Sequence, residues 1–198
     1  PLVDVRSFRI RAFAAQNVVL FVLMIVFIPL FFFESMYAQI SLGADASDAG
    51  SYILAFFGGF VVAAQWGGKI LDTRGAKPTV VLGGAVAAVG FFLFAGSLDK
   101  LDFGDQWYWL VMAGAGVGLM LGPSNTDAIN RLPKSRYGEA SGVTQTVRNF
   151  GASIGMAVLG TVLLLGFQNN VQDSLERGGV APERAENVAH TVTHSGGS

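Results

Sequence analysis

Cysteine is absent from all 198 residues, which excludes disulfides and thiolate metal sites and removes any clue to redox compartment. Histidine is nearly absent too. The two present, His190 and His194, lie in a polar tail where solvation, not metal ligation, is the expected role. Charged residues make up only 14% of the chain, so the usual soluble balance of charge against core is missing. The net charge of -1 points to no charged partner, and nucleic acid is not among the expected ones. No phosphate loop, zinc-binding histidine pair or nucleophile elbow occurs, so neither catalysis nor a cofactor is expected. Gly114-Ala-Gly116-Val-Gly118 lacks the preceding strand that a dinucleotide fingerprint requires and sits within an apolar run.

What the chain does have is apolar length. Hydrophobic residues reach 52%, and five stretches stand out, from Ala12 to Phe33, Gly50 to Leu71, Thr79 to Leu98, Trp107 to Ile129 and Ala140 to Phe167. Each meets the roughly 20 residues that a helix needs to cross about 30 Å of hydrocarbon. The first is too long for a cleaved signal peptide, and no cleavage site follows it. The expected fold is therefore all-α, a polytopic transmembrane bundle of five spans with the lipid bilayer as its first partner.

The basic residues alternate sides. Nine of thirteen fall in three places, Arg6, Arg9 and Arg11, then Lys69, Arg74 and Lys77, then Arg131, Lys134 and Arg136. The intervening loops carry Asp45, Asp48, Asp99, Asp102 and Asp105, with Lys100 as their one basic residue. Because basic loops stay in the cytoplasm, the N-terminus is expected there, with the C-terminal tail outside and Trp107, Tyr108 and Trp109 as an aromatic anchor at the outer boundary of a cell membrane.

Three regions follow: residues 1–11, an amphipathic cytoplasmic lead-in; 12–167, the bundle; and 168–198, a polar extracytoplasmic tail or loop. Short helical signals run from Val171 to Arg177, stopped by Gly178 and Gly179, and from Pro182 to His190. Gly43 to Ala49 is expected as an outer turn. Asp72 to Pro78 is a tight inner one, with Gly75 free to take positive φ and Pro78 opening the next helix. The chain opens on Pro1 without a methionine and ends outside, which suggests a fragment. Gly114, Gly118 and Gly122, four apart, and Gly151 with Gly155, are expected to let helix backbones approach closely in lipid.

Ionisable residues within the spans carry the functional expectations, since a charge in hydrocarbon costs at least about 2.5 kcal/mol and faces a bundle interior, a partner or water. Arg148 lies about 12 Å beyond Ala140 along a helix and Asp127 about 6 Å before Arg131. Arg148 could reach Asp127 and hold it ionised, or Asp127 could pair with Arg131 at i,i+4. Arg148 would then support an internal cavity or bind an anionic group there. Glu34, about 33 Å from Ala12, lies near the outer boundary, where it could snorkel to water or form a cation-attracting vestibule with Tyr37 and Gln39. Gln65, Asn125 and Gln145 are cavity-lining candidates. Gln65 and Trp66 could equally pack at the interface, and Asn125, Thr126 and Asn130 could bond between helices near the carbonyl freed by Pro123.

The loop Gly68-Lys-Ile-Leu-Asp72-Thr-Arg-Gly75-Ala-Lys77 resembles the inner-loop signature of the major facilitator superfamily, matching at Gly68, Asp72, Gly75 and Lys77. Thr73 and Ala76 stand where basic residues are usual. Three further segments, Pro1-Leu-Val-Asp-Val-Arg-Ser-Phe8, Gly118-Leu-Met-Leu-Gly-Pro-Ser124 and the run from Ala140 through Arg148 to Gly155, resemble in that order the C-terminal half of the fourteen-helix drug/proton antiporter branch. The resemblance covers residues 1–167 and aligns the five spans with the ninth to thirteenth helices. It implies alternating access between two half-bundles, gating at Asp72, protons and a small lipophilic substrate as partners, and a missing N-terminal half of the same transporter. A carboxyl in an apolar setting takes up a proton more readily, whereas Arg148 would oppose this at Asp127, so Glu34 is the better proton candidate. Two alternatives stay open: a proton-independent facilitator or importer, and a non-transporting receptor or assembly subunit.

Overall fold

Long apolar runs fold as long helices, because in lipid every backbone amide must find its partner inside the segment. The computed structural model describes residues 5–41, 46–100 and 102–178. Five α-helices follow a 3-10 turn at Val5–Arg9: α1 (Arg11–Ser41), α2 (Ala46–Arg74), α3 (Ala76–Ala95), α4 (Trp107–Asn130) and α5 (Tyr137–Arg177). Residues 1–4, Asp45, the expected helix from Pro182 to His190, both histidines and the side chains of Tyr37, Gln39 and Asp48 lie outside the described residues.

The helices outrun the expected spans. α1 continues to Ser41, and α2 begins at Ala46, inside the stretch expected as a turn. The helical signal at Val171 to Arg177 is the last part of α5, and Gly178 follows as the turn that ends it. By length and composition α1, α2, α3 and α5 can each cross a membrane. α4 is long enough at about 36 Å, but its glycines and its Pro123-Ser124-Asn125 end leave it without an apolar stretch to match theirs. It is instead the packed centre, with Leu110, Ala113, Val117, Ser124 and Ala128 all buried.

The chain divides into two units, residues 1–153 and 154–198. In the first, α4 packs along α1, α2 and α3. Gly59 lies against Val111 and Ala115, and Gly67 against Leu119 and Pro123, so α2 and α4 run parallel. Gly83 lies against Gly116 and Met120, and Gly90 against Ala113, so α3 runs antiparallel to α4. This up-and-down order gathers the starts of α1, α3 and α5 and the ends of α2 and α4 at one basic end, with Lys69, Arg74, Lys77, Arg131, Lys134 and Arg136. Asp99, Lys100, Asp102 and Asp105 mark the opposite end, where Trp107 and Tyr108 are exposed.

The central core joins Leu23, Met24 and Phe27 of α1 with Phe56, Ala87, Val117 and Met120. Phe31 stacks on Phe57 at 5.1 Å and meets Phe56 edge-on at 5.5 Å. Toward the basic end a second cluster joins Phe13 and Leu20 of α1, Ala128 and Leu132, and Ala140 and Val143 of α5. The outward positions are apolar as well: Val18, Val22 and Val26 on α1, Leu54, Val61 and Val62 on α2, and Val81, Val89 and Phe92 on α3. Only 22% of the most apolar window of α2 or α3 is buried within the protein, so most of that surface is left for hydrocarbon.

Candidate functional site

α5 breaks this pattern of apolar outer surfaces. Between Ser141 and Ser153 its exposed positions include Ser141, Gln145, Thr146, Asn149 and Ser153, with Arg148 half-buried among them. Residues 141, 145, 148 and 149 recur at helical spacing and share one face. Gln145 Nε2 donates to Asn149 Oδ1 at 2.9 Å, and Arg148 Nη1 donates to Gln145 Oε1 at 3.4 Å. Thr146 and Ser153 return their hydroxyls to the carbonyls of Gly142 and Asn149. A polar strip of this kind is out of place against lipid and suits water, a polar solute or another polar helix.

Arg148, singled out as an intramembrane charge, and Gln145, singled out as a cavity-lining candidate, meet on this face. Of the two alternatives for Asp127, the contact with Arg148 is not formed among the described residues and the i,i+4 pair with Arg131 is. Asp127 instead pairs with Arg131, Oδ1 to Nη2 at 2.9 Å, and accepts from Gln16 Nε2 at 2.9 Å. The reason is local: one helical turn separates Asp127 from Arg131, so the pair needs no tertiary geometry. Arg148 leans to Gln145 on its own helix, and its Nε is closed off without a partner among the described residues.

Glu34 corrects the expectation of a snorkelling side chain. It is 3% exposed, and neither carboxylate oxygen has a hydrogen-bond partner among the described residues. α1 runs on past it to Ser41, so Glu34 lies inside a helix and not at its end.

Asp72 is exposed in the last turn of α2 and makes no ion pair or hydrogen bond among the described residues. The helix C-terminus disfavours a negative charge there, leaving the carboxylate available to a partner. It does not cap α3, whose N-cap is Gly75 without a side-chain bond. Gly75 has φ 81 and ψ 179 and donates its N–H to Leu71 O at 3.0 Å, forming the tight turn. Lys77 is exposed beside it, and a Cβ at Gly68 would meet nothing within 4 Å. Pro78 falls in the first turn of α3, where no amide partner is lost.

Gln65 is exposed and Asn125 half-buried, neither hydrogen-bonded among the described residues. Trp66 is 62% exposed with Lys69 Nζ 5.6 Å over its ring, and it borders an apolar groove of about 710 Å³ between α2 and α4. Gln65 is not a lining residue of that groove.

Two arrangements escape a reading by spans. Ser7, 1% exposed, donates to Glu139 Oε1 and accepts from Arg136 Nη2, each at 2.9 Å. Arg136 grips the same carboxylate through Nε and Nη2 at 2.9 and 2.8 Å. This clamp fastens the turn before α1 to the start of α5. The i,i+3 spacing of Arg136 and Glu139 was its visible signal; Ser7 gave none. The second is a set of buried polar side chains, Asn17 on α1, Ser124 on α4 and Thr144 on α5. Their signal was simply polar residues inside apolar runs.

The chain is 28% identical over 195 residues to the multidrug efflux pump LfrA of Mycolicibacterium smegmatis, covering 97% of this chain and 38% of that protein. It is 24% identical over 190 residues to the lincomycin resistance protein LmrB of Listeria monocytogenes, covering 93% of this chain and 38% of that protein. A triacylglyceride transporter of Mycobacteroides abscessus is 31% identical over 134 residues, or 60% of this chain and 25% of that protein. The chain therefore spans well under half the length of these relatives. Residues 1–156 match the Major Facilitator Superfamily, and with its bundle of long apolar helices the chain belongs to that family of multi-span membrane proteins.

Proposed function

We propose that this chain is part of a secondary transporter that exports lipophilic compounds in exchange for protons. The observation that carries the reading is the polar face of α5 on an otherwise apolar bundle. Arg148, Gln145 and Asn149 supply hydrogen-bond donors and acceptors along a surface that lipid would not accept, and a solute path gives that surface water and polar cargo. That the relatives include a multidrug efflux pump and a triacylglyceride transporter supports a drug-like or lipid-like cargo.

Alternating access needs a second half-bundle, which we assign to the N-terminal part of the same transporter. Residues 1–11 are the lead-in, 12–167 the bundle and 168–198 an outer segment, with the basic end in the cytoplasm of the plasma membrane. Asp72, Gly68, Gly75 and Lys77 form the gating turn: an exposed carboxylate at a helix end can bridge to a cation in one state and release it in the other. Arg148 takes the charged or polar part of the cargo, and Asp127, already paired with Arg131, steadies α4. Gln65 and Asn125 are secondary candidates for the same path. Glu34 carries the exchanged proton, because its enclosed carboxylate has no donor or cation among the described residues to hold its charge.

Proteoliposomes holding the full-length protein test the assignment. Glu34→Gln should abolish compound-driven proton movement and leave compound binding intact. Full proton exchange in that variant would remove Glu34 from the mechanism, and saturable flux indifferent to the proton gradient in the unaltered protein would make it a facilitator.

A further inference from the structure

Asn17, Ser124 and Thr144 come from three different helices, yet they lie at one level of the bundle. Phe13 shares a cluster with Ala140 and Val143, and a Cβ at Gly151 would fall against Phe21 and Met24. α1 and α5 therefore run parallel with Asn17 level with Thr144. Gln16 bonds Asp127, and Phe13 and Ala128 share the same cluster, so α4 runs antiparallel to α1 with Ser124 beside Asn17.

All three side chains are closed off, at 1%, 0% and 1% exposure. Each has an oxygen without a partner among the described residues: Asn17 Oδ1, Ser124 Oγ and Thr144 Oγ1. The amide of Asn17 is already spent, donating to Phe13 O at 2.9 Å. Two more orphans flank the level, Gln16 Oε1 and Arg148 Nε. Helical side chains lean toward the helix N-terminus, and Arg148, one turn after Thr144, leans that way to meet Gln145.

A buried polar atom left unmatched is costly, and native proteins match nearly all of them. The chemistry of the orphans selects the ligand. The guanidinium of Arg148 repels a small cation, and the acceptor oxygens with Asp127 nearby repel an anion. A molecule that both donates and accepts fits the whole set. We infer that the junction of α1, α4 and α5 binds a small cluster of ordered waters, joining Asn17, Ser124 and Thr144 and extending toward Gln16 on one side and Arg148 on the other. Buried waters of this kind make about three hydrogen bonds each, and the level offers acceptors from three helices.

Two measurements on the full-length protein in detergent decide it. Thr144→Val and Ser124→Ala should each lower the thermal unfolding midpoint, and the double variant should lose less than the sum, because both residues hold the same waters. A dry site predicts the reverse, a raised or unchanged midpoint with additive effects, and that result overturns the inference. Radiolytic hydroxyl-radical footprinting is independent of variant folding. Phe13 and Leu20, both 0% exposed, should be oxidised in the native protein by radicals formed from the enclosed water, and Thr144→Val should reduce this to background. Native protein unlabelled at both positions would overturn the inference, including the case in which the hydroxyls merely bond their own helix carbonyls.

Discussion

Gly75 sits at φ 81 and ψ 179, a region that residues with a Cβ enter only at a cost on the order of 1–3 kcal/mol. Its neighbours leave room, since a Cβ there would meet nothing within 4 Å. Gly75→Ala is therefore expected to destabilise the protein through the backbone alone, while Gly68→Ala, mid-helix and equally open, gains helix propensity of about 1 kcal/mol. Thermal unfolding of the two variants in detergent checks the contrast. Equal midpoints would show that the turn relaxes. At Asp72 the expectation is different, because the carboxylate has no partner within the described residues: Asp72→Asn should leave unfolding unchanged and reduce transport. The residue types and spacing of this turn were legible from the sequence. The partner of Asp127 was not, since the sequence offers Arg131 at i,i+4 and Arg148 on the next helix, and only packing decides between them.

Helix-scale packing separates glycines that look alike in sequence. Gly114, Gly118 and Gly122 are spaced as one stripe, but a Cβ at Gly114 or Gly118 would strike the carbonyls of Phe56 or Phe60 on α2, whereas one at Gly122 meets nothing within 4 Å. Gly116, outside that stripe, faces the backbone of α3 at Ala87. Gly118→Ala should lower the unfolding midpoint sharply because backbone, not a movable side chain, occupies the space, and Gly122→Ala should be neutral or stabilising. Similar losses for both would contradict the packing of α2 on α4. The spacing rule located the contact face and extended it one turn too far, because at that level the contact with α2 passes from the line of Gly114 and Gly118 to Leu119 and Pro123, which lie against Gly67. Helix order and existence followed from apolar length. Their ends did not, as with α1 continuing to Ser41, since polar residues can prolong a helix beyond the hydrocarbon without any apolar signal.

On the scale of the molecule, the up-and-down order collects the basic residues at one end, as alternation along the sequence implied. An all-α membrane bundle of the Major Facilitator Superfamily is what both composition and motif suggested and what the chain is. The site was legible in part. Arg148 and Gln145 stood out as polar residues in an apolar run, but their shared exposed face depends on which side of α5 turns away from α1, a matter of tertiary packing. If that face lines a solute path, Arg148→Ala should weaken export of the cargo while the protein still folds, because among the described residues the half-buried side chain makes only one long hydrogen bond, at 3.4 Å. Radiolabelled uptake into everted vesicles would read this, and undiminished transport would place the path elsewhere. Proton-coupled export by the full-length protein would show as proton release from energised everted vesicles, followed with a pH-sensitive dye while a panel of lipophilic cations and neutral drugs is added. Compound-dependent collapse of the gradient, absent from vesicles without the protein, is the expected result; a gradient unmoved by any compound, with the protein folded and abundant, would contradict it.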